Sequence, residues 1–77
     1  MNTTAQFSEK SIAQAQFWIA QSVRTGQIIH ITAATDDEEA ELSAQSEDSA
    51  EDATHVEYWG TTDEGHDWRV HIDAPRN

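Results

Sequence analysis

The chain has 77 residues, one small domain at most, and a chain this short buries only about 60–65 % of its unfolded surface. Four Lys and Arg against fifteen Asp and Glu give a formal net charge of −11, which argues against direct nucleic-acid binding and disfavours anionic membranes, since both need cations facing phosphate. There is no cysteine, hence no disulfide, thiolate metal site or cysteine nucleophile.

No apolar run approaches the roughly 20 residues of a membrane span. The stretch Met1-Asn2-Thr3-Thr4-Ala5-Gln6 has no basic start and no apolar core, so no secretory signal is expected and the protein reads as cytoplasmic.

The first predicted element is a helix over 9–25. Ser8 suits the N-cap, where its hydroxyl accepts from the free N–H of Lys10 or Ser11. Phe7 and Ile12 then have the spacing of a hydrophobic staple. Ile12, Ala15, Ile19 and Val23 form an apolar stripe about 80° wide at helical period. Arg24 favours the last turn, and Gly26 suits the left-handed residue beyond it.

Gln27 to Ala34 is apolar and β-branched, so it reads as a strand. Ile29 and Ile31 share one face and Ile28 and His30 the other. Isoleucine on both faces predicts a central or doubly covered strand.

From Asp36 to Asp52 nine of seventeen residues are acidic, and no Lys or Arg occurs between Arg24 and Arg69. Thr35 with Glu38 has capping-box spacing, and the acids that follow suit a helix N-terminus. Ala40, Leu42 and Ala44 alternate with polar residues as a strand would. The high charge also permits a loop. One or two short helical turns within 36–53 are expected.

His55 to Trp59 and Asp67 to Ile72 read as two strands, with Asp63-Glu64-Gly65 as a three-residue hairpin loop and Gly65 at positive φ. If Thr62 and His66 close the loop, Gly60 faces Trp68, Tyr58 faces Val70 and Val56 faces Ile72 on an apolar side. Thr61 then faces Asp67, Trp59 faces Arg69, Glu57 faces His71 and His55 faces Asp73 on a polar side.

The fold expected is α+β: one N-terminal amphipathic helix packed on a small antiparallel sheet of at least three strands, ending in a C-terminal hairpin. The whole chain forms one domain, with flexible ends at 1–6 and 74–77. The expected core is Ile12, Ala15, Ile19 and Val23 against Ile29, Ile31, Val56, Tyr58, Trp68, Val70 and Ile72. That core is small, so a monomer or weak homodimer is expected.

Enzyme chemistry finds little support. No serine sits in a Gly-x-Ser-x-Gly turn, no glycine-rich phosphate loop occurs, and the carboxylates lie in an exposed run without a pocket to tune them. No catalytic residue, cofactor or metal ligand is assigned. His55, His71, Glu57 and Asp73 on one hairpin face are the nearest approach to a cation site, but they equally make two solvated cross-strand pairs. His30 reads as a half-buried strand residue and His66 as a turn residue.

Trp59, beside an arginine, has the composition of a binding anchor. A covering helix or C-terminal tail would instead make it structural. The acidic residues either keep the protein soluble or imitate a phosphate backbone and steer the chain onto a basic groove. The candidate partner-binding residues are Asp36, Asp37, Glu38, Glu39, Glu41, Glu47, Asp48, Glu51, Asp52 and Trp59.

The runs Thr35-Asp36-Asp37-Glu38-Glu39-Ala40-Glu41 and Ser46-Glu47-Asp48-Ser49-Ala50-Glu51-Asp52, with the Trp59 to Trp68 hairpin, give the chain its likeness in size, charge and architecture. On these it resembles the small acidic anti-CRISPR proteins encoded by phages. The resemblance covers the whole chain and rests on no specific motif. It implies an inhibitor, acting in the host cytoplasm, that occupies the DNA-binding groove of a CRISPR surveillance complex or effector. The alternatives are a small metal- or ligand-binding domain using the hairpin histidines and an antitoxin-like neutraliser of a basic protein.

Overall fold

The structure, a computed structural model, describes residues 9–73. The expected Ser8 cap, the Phe7 staple and the flexible ends at 1–6 and 74–77 lie outside the described residues.

Helix α1 spans Glu9–Thr25, and Gly26 follows at φ 69° with its N–H on the Ser22 carbonyl at 2.8 Å. This is the left-handed cap the sequence calls for. The buried line of α1 is Ser11, Ala15 and Ser22, which fall within about 40° of one another. Ile12, Ile19 and Val23, expected at the centre, are only half-buried beside that line. Small side chains let the helix backbone approach the sheet closely. Ser22 then serves as a bridge, its Oγ donating to the Gln27 carbonyl at 2.8 Å and accepting from the Arg69 N–H at 2.9 Å.

Strand β1 is short, Ile29–Ile31, and lies at an edge of the sheet. It is therefore neither central nor doubly covered. Ile28 precedes it and is 43 % exposed, so the second apolar face read from the sequence does not exist. Ile29 and Ile31 pack against the core, whereas His30 is exposed.

Helix α2 spans Asp36–Gln45 and begins as expected. The Thr35 hydroxyl accepts from the Glu38 N–H at 3.1 Å, and the Glu38 carboxylate accepts from the Thr35 N–H at 2.8 Å. Leu42 is completely buried and joins the core. Strand β2, Asp48–Glu51, follows where only turns or loop were expected.

Strands β3, Val56–Thr61, and β4, Asp67–Ile72, form the hairpin in the register derived above, from Val56 opposite Ile72 to Thr61 opposite Asp67. The loop closes through Thr62 N–H on the His66 carbonyl at 2.8 Å and holds Gly65 at φ 87°.

The sheet order is β1-β4-β3-β2. β2 and β4 run antiparallel to β3, but β1 runs parallel to β4, so the sheet is mixed rather than antiparallel. From β1 the chain crosses through α2 to the far edge and returns by β2 and β3 to β4, a connection long enough to permit a parallel partner. Asp73 extends the β1 ladder, its N–H on the Ile31 carbonyl at 2.7 Å.

Ala15 and Leu42 from the helices meet Val56, Tyr58, Trp68, Val70 and Ile72 from the sheet. Burying each of the larger aliphatics contributes about 1.5–3 kcal/mol. Extents of 39 × 33 × 18 Å fit one helical layer on one sheet. Among the described residues no helix is long and apolar enough to cross a membrane.

Candidate partner-binding surface

The acidic segment divides into two pieces with different duties. In α2 the first turn holds Asp36, Asp37, Glu38 and Glu39, where free N–H groups and the helix dipole favour negative charge. Asp36 is exposed, and the next three are half-buried. Glu38 is engaged in the capping box. Glu39 accepts from the Tyr58 hydroxyl at 3.2 Å.

Glu41 departs from the expected set. It is 7 % exposed and accepts from Gln45 Nε2 at 2.9 Å. At one turn's spacing the amide holds the carboxylate against the helix, which leaves it little surface for direct contact with a partner.

The second piece is the edge strand. All four residues of β2 are exposed, and Glu47 and Asp52 flank it, exposed as well. The Glu47 N–H donates to the Trp59 carbonyl at 2.9 Å, which prolongs the β2–β3 ladder. Charged side chains on an edge strand discourage pairing with another chain.

Asp52 builds the β2–β3 turn. Its Oδ1 accepts from Thr54 N–H at 2.8 Å, Thr54 Oγ1 at 3.0 Å and His55 N–H at 3.1 Å, and His55 Nδ1 stands 3.2 Å away. The Thr54 N–H bond, ahead of the His55 and Thr54 side-chain contributions, holds the carboxyl below its ordinary value.

Trp59 pairs with Asp48 on one side and Arg69 on the other. Its side chain lies on the sheet face away from the helices and is half-buried. The Arg69 guanidinium carbon stands 4.9 Å from the ring centroid, a cation–π contact. Arg69 stands over the ring. A cleft of about 490 Å³ runs beside it, lined among others by Glu47, Asp67 and Arg69. Asp67 accepts from Thr61 Oγ1 at 3.1 Å, within the cross-strand pair that the hairpin register sets.

The same open face gathers three histidines. His30 pairs with His71 across the parallel strands, with ring centroids 5.2 Å apart. His55 stacks on His71 at 4.7 Å. Glu57 faces His71 Nδ1 at 3.8 Å and accepts from Arg69 Nη1 at 3.0 Å. The expected pairing of His55 with Asp73 does not form: the ladder ends at Val56–Ile72, and Asp73 turns to β1. Among the described residues no group of three or more His, Asp or Glu side chains is placed to hold a metal ion. His66 stays in the turn, exposed.

Comparison with known proteins yields no match, whether to a protein family, a curated protein or a solved structure.

Proposed function

We propose that the protein is an acidic inhibitory binding protein, not an enzyme, that occupies a basic nucleic-acid-binding groove. The observation that carries this reading is the pairing of Asp48 with Trp59. It places an exposed acidic edge, Glu47 to Asp52, directly beside a half-buried tryptophan and its cleft. Tyr58, on the core side of β3, pairs with Ser49 of the same edge and donates to Glu39, which holds the first turn of α2 over the other sheet face. Carboxylates spread over this edge supply long-range steering toward a cationic groove, and the ring supplies apolar contact area.

By its resemblance to the anti-CRISPR proteins, the partner proposed is a CRISPR surveillance complex or effector in the host cytoplasm, and the effect is loss of DNA binding. The resulting contact is protein to protein, with no nucleic acid or membrane bound by this chain. The test is affinity capture from bacterial lysates, followed by competition against labelled target DNA on the captured complex. Displacement of DNA supports the reading. Capture of a lone basic protein would instead favour an antitoxin-like neutraliser.

One observation supports a second reading, a ligand-binding face: the His30, His71 and His55 rings stand in a row on the open sheet. Titration with small anionic and metal ligands, read through these imidazole resonances, tests it.

A further inference from the structure

The outer side of α1 has no role in the reading above. Ala13, Phe17, Ala20 and Arg24 are all exposed there and lie within about 60° of one another, opposite the buried line of Ser11, Ala15 and Ser22. Phe17 is the most exposed large hydrophobic residue described, at 55 %. On the far side of Ala20 from Phe17 a groove of about 330 Å³ is lined by Ala20, Val23 and Arg24 of α1 and by Gln45, Thr62 and Glu64, among others. Helix α1 is also the exception to the molecule's charge. It carries two cations, Lys10 and Arg24, and one carboxylate, Glu9, in a chain of net charge −11. Two copies repel over most of their surfaces but not through this face.

We infer that α1 is a self-association surface, on which two copies pair antiparallel about a two-fold axis near Phe17 and Ala20. The spacing is self-complementary, as an isologous contact requires. With Phe17 of one copy over the partner's Ala20, a large ring meets a small residue, and the reverse contact follows by symmetry. Ala13 then lies over the partner's Arg24, whose aliphatic stem needs a small neighbour. Glu9, one turn before Ala13, falls beside the same guanidinium. A 17-residue helix is about 25 Å long, so one helix pair buries less than a standard interface of about 1,600 Å². The association is weak and transient, and it is independent of the acidic-edge reading.

Sedimentation equilibrium over about 10 μM to 1 mM tests it. The mass should rise from 8.6 kDa toward twice that value. Added salt should strengthen association by screening the repulsion of like-charged copies, whereas it weakens binding through the acidic edge. Phe17→Glu and Ala20→Arg, each checked for folding by circular dichroism, should raise the dissociation constant at least about tenfold. Should one fail to fold, the other decides. Ala44→Arg, on exposed α2 surface, should leave association unchanged. The chain has no cysteine of its own, so a short bis-maleimide reads the register. Ala13→Cys mixed with Arg24→Cys should cross-link, and Ala13→Cys alone should not, its two copies lying about 16 Å apart along the axis. A monomer at every concentration, or equal cross-linking by Ala13→Cys alone, overturns the inference.

Discussion

The Tyr58 hydroxyl, on the core side of β3, donates to a Glu39 carboxylate oxygen of α2 at 3.2 Å. This bond ties the acidic helix to the sheet at a part-buried position. Tyr58→Phe keeps the ring and removes the donor, so it should destabilise the fold by about 0.5–1.5 kcal/mol. Urea denaturation checks this, and an unchanged midpoint would deny the bond any role in stability.

Gly65 stands at φ 87° with open space where a Cβ would be. The cost of a side chain there is therefore backbone strain alone. Gly65→Val should cost about 1–2 kcal/mol or more, and Gly65→Asn clearly less, because asparagine tolerates the left-handed region. Equal thermal shifts for the two variants would contradict this account of the loop.

Gly60 raises the opposite problem. A Cβ there would stand 3.1 Å from Glu47 N, 3.1 Å from Trp68 Nε1 and 3.2 Å from Gln45 O. Two of those neighbours are backbone at the α2–β2 junction and cannot swing aside. Gly60→Ala should cost about 1–3 kcal/mol by overpacking, and amide exchange should quicken at Glu47. Wild-type stability in this variant would show that the junction yields freely.

These glycines also mark what was legible beforehand. Gly65, the hairpin register and the Thr35–Glu38 box are local signals, and all appear as read. The tryptophan over Gly60 followed from the register, but the backbone of residues 45 and 47 behind it did not. Strand β2 was hidden because its residues, Asp48-Ser49-Ala50-Glu51, lack β propensity. It forms because β3 offers an open edge. The parallel placement of β1 was equally invisible, being a long-range pairing, and with it went the meeting of His30 with His71. Leu42 was masked by the carboxylates around it. Ser11 and Ser22 are polar residues that the apolar stripe argument passes over.

Asp52 gives the pH dependence. Its folded carboxyl titrates below its ordinary value, so ionised Asp52 stabilises the fold above the unfolded value, and that contribution is lost as pH falls through the folded one. Asp52→Asn should therefore be less stable than wild type at neutral pH. The gap should close in acid, below the ordinary carboxylate range. A gap that stays constant from neutral pH to below about pH 3 would assign the effect to something other than ionisation.

The most direct test of the central claim is DNA displacement from CRISPR surveillance complexes, comparing wild type with a variant neutralised at Asp36, Asp37, Glu47, Asp48 and Glu51. This set spares Glu38, Glu41 and Asp52, whose bonds cap α2, hold Gln45 and build the β2–β3 turn, and Glu39, which ties α2 to Tyr58. At about 0.2–1 kcal/mol for each exposed charge pair, the five changes should cost about 1–5 kcal/mol of affinity at low ionic strength and far less at high. Trp59→Ala should cost about 2 kcal/mol or more at both, because it removes apolar contact. Wild-type displacement by the neutralised variant would contradict the account and leave the acidic edge as a solubilising surface.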